Sequence, residues 1–219
     1  MVRRDLRTGN VESDQSSLAL KHHGFLGMNE YDLLAAEHFG DRILGVGGIV
    51  NIGGAVGRGD LTWTDTGDES VFSLAASISY SWAWGGKNIS GVLEYYHNGF
   101  GQKNGAYSPV DLAQNPELLK RLARGELFTL ARDYLAVSAS IEVSPLFMLI
   151  PNIFVNLEDP SSLVQVVAQY DWKQNLQILA AVNIPVGPDG SEYGGIEAPM
   201  EGQYFSTGPG LFAQLAWYY

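Results

Sequence analysis

Period-two alternation of apolar and small or polar side chains runs along most of this chain. Its clearest stretch is Asp68–Trp84. One set of alternate positions carries Phe72, Leu74, Ala76, Ile78, Tyr80, Trp82 and Trp84. The other carries Val71, Ser73, Ala75, Ser77, Ser79, Ser81 and Ala83. That period marks a strand whose two faces meet different surroundings. Gly85-Gly86-Lys87-Asn88 reads as a tight turn. The chain then returns with Ile89, Leu93 and Tyr95 on one side and Ser90, Glu94 and Asn98 on the other.

The same pattern predicts strands near 127–143, 146–157, 161–172, 175–186 and 203–219. Their apolar faces are Leu135/Val137/Ala139/Ile141, Phe147/Leu149/Ile153/Val155, Val164/Val166/Ala168/Tyr170 and Leu176/Ile178/Ala180/Val182/Ile184. In the last strand Leu211, Ala213, Leu215 and Trp217 alternate with Phe212, Gln214, Ala216 and Tyr218, and Tyr219 follows. Upstream, strands near 16–24, 30–38, 42–51 and 55–65 are weakened by Gly45, Gly47, Gly48, Gly53 and Gly54. The expectation is an all-β, antiparallel up-and-down sheet of about eleven strands. One helix is expected over 107–125: Ser108 before Pro109 opens it, Leu112, Leu118, Leu119 and Leu122 supply apolar positions, and Gly125 ends it.

On the Asp68–Trp84 strand the face opposite the large side chains is small and uncharged, where a soluble sandwich exposes charge. Alternation of that kind suits a transmembrane β-barrel with lipid on one side. Connection lengths agree. If the carboxyl end is periplasmic, the short connections around Gly53, Gly85, Pro145 and Lys173 all fall on that side. The longest, 99–126 and 187–202, fall outside, with shorter ones at Gly40, Gly67 and Pro160. Trp82, Trp84, Trp172 and Trp217 then sit at periplasmic strand ends and Trp63 at the outer rim. With Tyr219 they form the expected membrane girdles.

Composition narrows the reading. The 219 residues are 46% hydrophobic, with a mean hydropathy of −0.02. No apolar run is long enough for a membrane-spanning helix. A formal charge of −11 argues against nucleic acid. With no cysteine there is neither a disulfide framework nor a thiolate metal site. Residues 1–15 contain bases with no apolar stretch after them, unlike a secretory leader. The expected organisation is an irregular segment over 1–15 and one barrel domain over 16–219, carboxyl-terminal strands of a longer barrel. An odd strand number supports that last expectation, since single-chain bacterial barrels have an even number.

The stretches YDLLAAEHFGD (31–41), GDLTWTDT (59–66), SYSWAWGGKN (79–88), LEYYHNGFG (93–101), ARGELFTLARDYLA (123–136) and LFAQLAWYY (211–219) resemble a porin-like family of proteobacterial outer-membrane barrels. The resemblance implies an outer-membrane location, outer-membrane lipids as surroundings and passage of small solutes. It also implies engagement of the barrel-assembly machinery through the terminal strand, at Leu215, Trp217 and Tyr219. It implies no cofactor and no catalytic residues.

With the apolar faces outward, the pore lining is expected to include Arg58, Asp60, Glu94, Arg132, Glu142, Gln165 and Gln169, alongside Thr62, Thr64, Ser77, Ser79, Ser81, Asn152, Asn183 and Gln214. Arg58 and Arg132 facing Asp60, Glu94 and Glu142 would set a transverse field. Structural ion pairs filling a narrow barrel are the plainer alternative. Two other functional classes remain: a structural or adhesive barrel acting through its outer loops, and a lipid-modifying enzyme. The second lacks a G-x-S-x-G motif and a Ser placed to pair with His97, and the histidines show no metal-ligand spacing. The acidic stretches 65–69 and 188–192 read as solvated turns.

Overall fold

The computed structural model describes residues 15–200, 202–206 and 208–218. Tyr219, and all but Gln15 of the predicted irregular amino-terminal segment, lie outside the described residues. Six strands come first: β1 (Ser17–Leu26), β2 (Asn29–His38), β3 (Asp41–Ile52), β4 (Ala55–Asp65), β5 (Ser70–Trp84) and β6 (Lys87–His97). Two helices, α1 (Pro109–Ala113) and α2 (Pro116–Arg124), precede β7 (Asp133–Ser144), β8 (Phe147–Asn156), β9 (Ser162–Lys173) and β10 (Leu176–Val186). The minimal strands β11 (Ile196–Glu197) and β12 (Tyr204–Phe205) pair with each other, and β13 (Gly210–Trp217) ends the described fold.

The eleven long strands are hydrogen-bonded in sequence order, β1 through β10 and then β13. The fold is therefore an antiparallel up-and-down meander, as the alternation predicts. Its first and last strands each have one neighbour, so the sheet is not closed among the described residues. Alternate connections are short, at 27–28, 53–54, 85–86, 145–146 and 174–175. Those between them are 39–40, 66–69, 98–132, 157–161 and 187–209. Gly85 and Gly86 both adopt positive φ, 57° and 73°, the backbone that a two-residue hairpin turn matching strand twist requires.

Two compact units divide the chain within β5 and β6. The first comprises the described residues through Ser77 and Tyr96–Gly99. The second comprises Ile78–Tyr95 and the described residues from Phe100 onward. In the first unit the register aligns Leu20, Ala35, Leu44 and Trp63 in one row and His22, Leu33, Val46 and Leu61 in the next. The opposite face aligns His23, Asp32, Gly47 and Asp60, then Phe25, Glu30, Ile49 and Arg58.

In the second unit every row on one face is apolar or nearly so. Val137/Ile153/Val164/Ile184 is one row, Phe147/Tyr170/Ile178/Leu215 another, and Pro151/Val166/Val182/Leu211 a third. Register thus joins apolar faces that sequence periodicity can define only strand by strand.

The buried apolar residues are not under the sheet. Phe100, Tyr107, Leu118, Ala131 and Ala198 belong to the connections, and Tyr134 to the first turn of β7; Val71 and Ile89 are the buried strand positions elsewhere. The large side chains of the apolar faces stay open, Leu20 at 75%, Leu211 at 79% and Trp217 at 73% exposure.

Three boundaries differ from the sequence pattern. Residues 127–132 are not strand: the Gln102 N–H donates to the Leu130 carbonyl at 2.7 Å and the Arg132 N–H to the Gln102 carbonyl at 3.0 Å, diverting the segment from β8. Likewise residues 203–206 and 208–209 do not extend β13, because Pro209 lacks the ladder donor and Tyr204–Phe205 pairs with β11 instead. The single expected helix is two. Pro116 cannot continue α1, and Asn115 caps α2 by accepting the Leu118 N–H at 3.1 Å.

Candidate functional site

Three polar features stand out from the apolar rows. The first unit's polar face is charged and floored by glycine. Lys21 Nζ lies 3.2 Å from Asp32 Oδ1, His23 Nδ1 lies 3.0 Å from the same oxygen, and His23 Nε2 is 4.0 Å from Glu30 Oε2. A Cβ at Gly47 would collide with Asp60 Oδ1, and one at Gly45 would press on Leu34 at 3.2 Å. The glycines that weaken the strand signal therefore make room for their cross-strand partners. Lys21, Asp32, Asp60 and Thr62 line an open hollow of about 110 Å³ over this floor.

On the polar face of the second unit the polar groups are amides. Register places Ser138, Asn152, Gln165, Asn183 and Gly210 in one row across β7, β8, β9, β10 and β13. Ser138 Oγ donates to Asn152 Oδ1 at 2.6 Å, Asn152 Nδ2 to Gln165 Oε1 at 3.3 Å, and Gln165 Nε2 to Asn183 Oδ1 at 2.7 Å. All three bonds point the same way, so each polarises the next.

The third feature ties the long connections together. Glu192, from 187–209, accepts the Leu130 N–H at 2.8 Å on Oε1. Its Oε2 accepts the Tyr134 hydroxyl at 2.6 Å and Asn156 Nδ2 at 2.7 Å. Asn156 Nδ2 also donates to the Tyr107 hydroxyl oxygen at 2.8 Å, and Tyr134's hydroxyl oxygen accepts the Ala131 N–H at 2.6 Å. Asp159 Oδ2 accepts the Glu192 N–H at 2.8 Å. Burial raises the Glu192 carboxyl above its usual range; the Tyr134 and Leu130 bonds oppose this and the Asp159 charge adds to it. Burial likewise raises the Tyr107 and Tyr193 phenols. Residue 192 is thus part of a buried knot and not of a solvated turn, which corrects the reading of 188–192. The stretch 65–69 does behave as a turn, with the Gly67 N–H donating to Asp65 Oδ1 at 3.1 Å.

In the helical connection, Arg121 is buried, pairs with Glu117 and lies 3.7 Å over the Phe100 ring. Burial would raise the Glu117 carboxyl, but the Arg121 hydrogen bond and the Arg121 and Lys120 charges outweigh it, so it stays below its usual range.

The residues expected to line a pore are distributed over these features. Arg58 and Asp60 are on the charged face. Glu94 is exposed on β6, Glu142 accepts Asn88 Nδ2 at 2.7 Å, Gln165 is inside the amide row, and Gln169 stands between Met148 and Leu179. Arg132 precedes β7, its Nε donating to the Gly101 carbonyl at 3.4 Å, so it belongs to the connection end. Among the aromatics, Trp63 opposes Leu44 and Trp217 opposes Leu176. Trp82 stacks 6.2 Å from Tyr80 and covers Gly91, where a Cβ would stand 3.0 Å from its ring. Trp84 is 75% exposed, and Trp172 is skipped where Asp171 opposes Gln177 and Lys173 opposes Leu176. Sequence reasoning did not find Tyr107, Tyr134, Asn156, Asp159 and Glu192 as a group. Their bonded partners lie as far as 58 residues apart, which leaves no local signal.

Among the described residues no group of three or more His, Asp or Glu is placed to hold a metal ion. Comparison with protein-family models, with curated proteins and with solved structures yields no match.

Proposed function

We propose that this chain is a porin-like β-barrel component of the bacterial outer membrane that passes small solutes, with no turnover chemistry. The observation carrying this reading is the inverted burial. Large apolar side chains lie in register on open strand faces, while the buried apolar residues gather in the connections. Burying one such side chain is worth roughly 1.5–3 kcal/mol, so rows of them left open fit lipid and not water. Alternating short and long connections support the same reading. Lipid surrounds the strands, and β13 carries the alternating apolar side chains expected of the strand that the assembly machinery engages.

The test is vesicle swelling. The full chain, inserted into phospholipid vesicles and protected there from protease, should admit arabinose faster than empty vesicles do. Insertion without solute entry overturns the channel reading. In that case the knot at Glu192, which gives the long connections a fixed arrangement, favours a surface-binding barrel acting through its loops.

A further inference from the structure

On the charged face Lys21 and His23 pair with Asp32, and the knot gathers its donors on Glu192, with Asp159 Oδ1 left buried and unpartnered. The amide row is different, because its donors run in one direction and the last has nothing to give to. Asn183 Oδ1 accepts from Gln165, yet Asn183 Nδ2 donates to no described residue. Its cross-strand neighbour is Gly210, where a Cβ would stand 3.9 Å from Nδ2. The glycine therefore leaves the amide uncovered on the flank toward β13.

The adjacent row on the same face, roughly 7 Å along the strands, is Ile150, Val167, Ala181 and Phe212. It carries no polar atom beyond the backbone, and Phe212 is 49% exposed. From Asp133 to Val186 and in β13 the sole base is Lys173, at the turn before β10. Carboxylates Glu142 and Asp171 belong to this same face, Asp171 opposite Gln177 and accepting its Nε2 at 2.8 Å. An anionic guest would meet acidic groups and no cation.

The geometry points to a binding site for an uncharged solute with an apolar, preferably aromatic, body and one hydrogen-bond acceptor. The acceptor takes the Asn183 Nδ2 proton in the gap left by Gly210, and the body lies on Phe212 and its row. The head-to-tail bonds from Ser138 through Asn152 and Gln165 polarise the terminal N–H, so the row strengthens its last donor. This deepens the proposed channel reading by naming a solute class, and it rests on that reading for its place in a pore.

The test uses benzamide, a neutral aromatic with a carbonyl acceptor, in equilibrium dialysis against the full chain in lipid nanodiscs, with empty nanodiscs as reference. Binding above the reference is expected. Asn183→Asp keeps the acceptor for Gln165 and removes the donor, so it should weaken binding at least about threefold, the scale of one net hydrogen bond. Gly210→Val, which covers the amide, should weaken it comparably without touching the row. Binding no greater than to empty nanodiscs, or undiminished binding in both variants, overturns the site. Arabinose entry into vesicles reports on the channel separately: entry without benzamide binding sinks only the site, and binding without entry sinks only the channel.

Discussion

The polar faces of the two units reach a similar end by different means. In the first, charge is carried on exposed side chains that pair across strands, Lys21 and His23 with Asp32, above glycines that make room for Asp60. In the second, the same kind of face uses neutral amides bonded in series, with apolar rows on either side: Ala136/Phe154/Leu163/Pro185 and Ile150/Val167/Ala181/Phe212. Exposed ion pairs are adjustable and screened by salt. A serial amide row is fixed in direction and indifferent to salt. In the proposed channel the first kind of face would sort solutes by charge and the second by shape and hydrogen bonding.

The widest gap should open between the two sides of one sheet. Ala139→Arg puts a base on the apolar face and should block membrane assembly, at a cost of roughly 2–4 kcal/mol near the bilayer midplane. Gln169→Arg, on the opposite face, should assemble and shift ion preference in bilayer recordings. Equal tolerance of both would sink the face assignment. Next in size, Glu192→Ala leaves the Leu130 N–H and the Tyr134 hydroxyl proton without their acceptor, while Asn156 keeps Tyr107 and Asp159. It should loosen the knot by about 2–3 kcal/mol, read as faster hydrogen exchange at Leu130 and quicker proteolysis within 98–132.

Gln165→Leu interrupts the amide row in its middle. It should cost about 1–2 kcal/mol in denaturant unfolding, independent of salt. Acidity gives a smaller effect. The Glu192 carboxyl is raised in the folded protein, because burial disfavours its charge more than the knot's hydrogen bonds favour it. Its contribution is fully present below the ordinary carboxylate value of about 4.3 and is lost as pH rises through the folded-state value. Denaturant unfolding should therefore become harder on acidification through that range, and the same pH dependence in Glu192→Gln would remove Glu192 as the cause. Smallest of all, Lys21→Ala in the first unit should leave unfolding unaltered within error at physiological salt, because the pair is exposed. A large salt-sensitive loss would erase the contrast between the two faces.

Much of this architecture is legible in the sequence, because a strand's period of two writes its faces into consecutive residues. Phe72 to Trp84 defines β5 without any knowledge of its neighbours. The tight connections at Gly53 and Gly85 are equally local. What is not legible is what depends on a distant partner. Residues 127–132 alternate well enough to read as strand, yet Gln102 captures them. Pro116 divides a stretch whose leucines read as one helix. Asn152, Gln165 and Asn183 are each legible as lying opposite their strand's apolar set, but their alignment into one row and its direction need the register and the bonds themselves. Glu192 lies in a stretch of turn residues, and burial by Tyr107 and Tyr134 leaves no trace near it.

The knot also has a history in time. Tyr107 waits for Asn156, 49 residues on, and Tyr134 for Glu192, 58 residues on. The first bond needs only the end of β8, whereas the second needs the stretch that follows β10. The connection over 98–132 is therefore held at two separate points, at Tyr107 by the end of β8 and at Leu130 by the stretch after β10. Its resistance to cleavage would serve as a clock, separating chains that have completed β10 from those that have stalled before it.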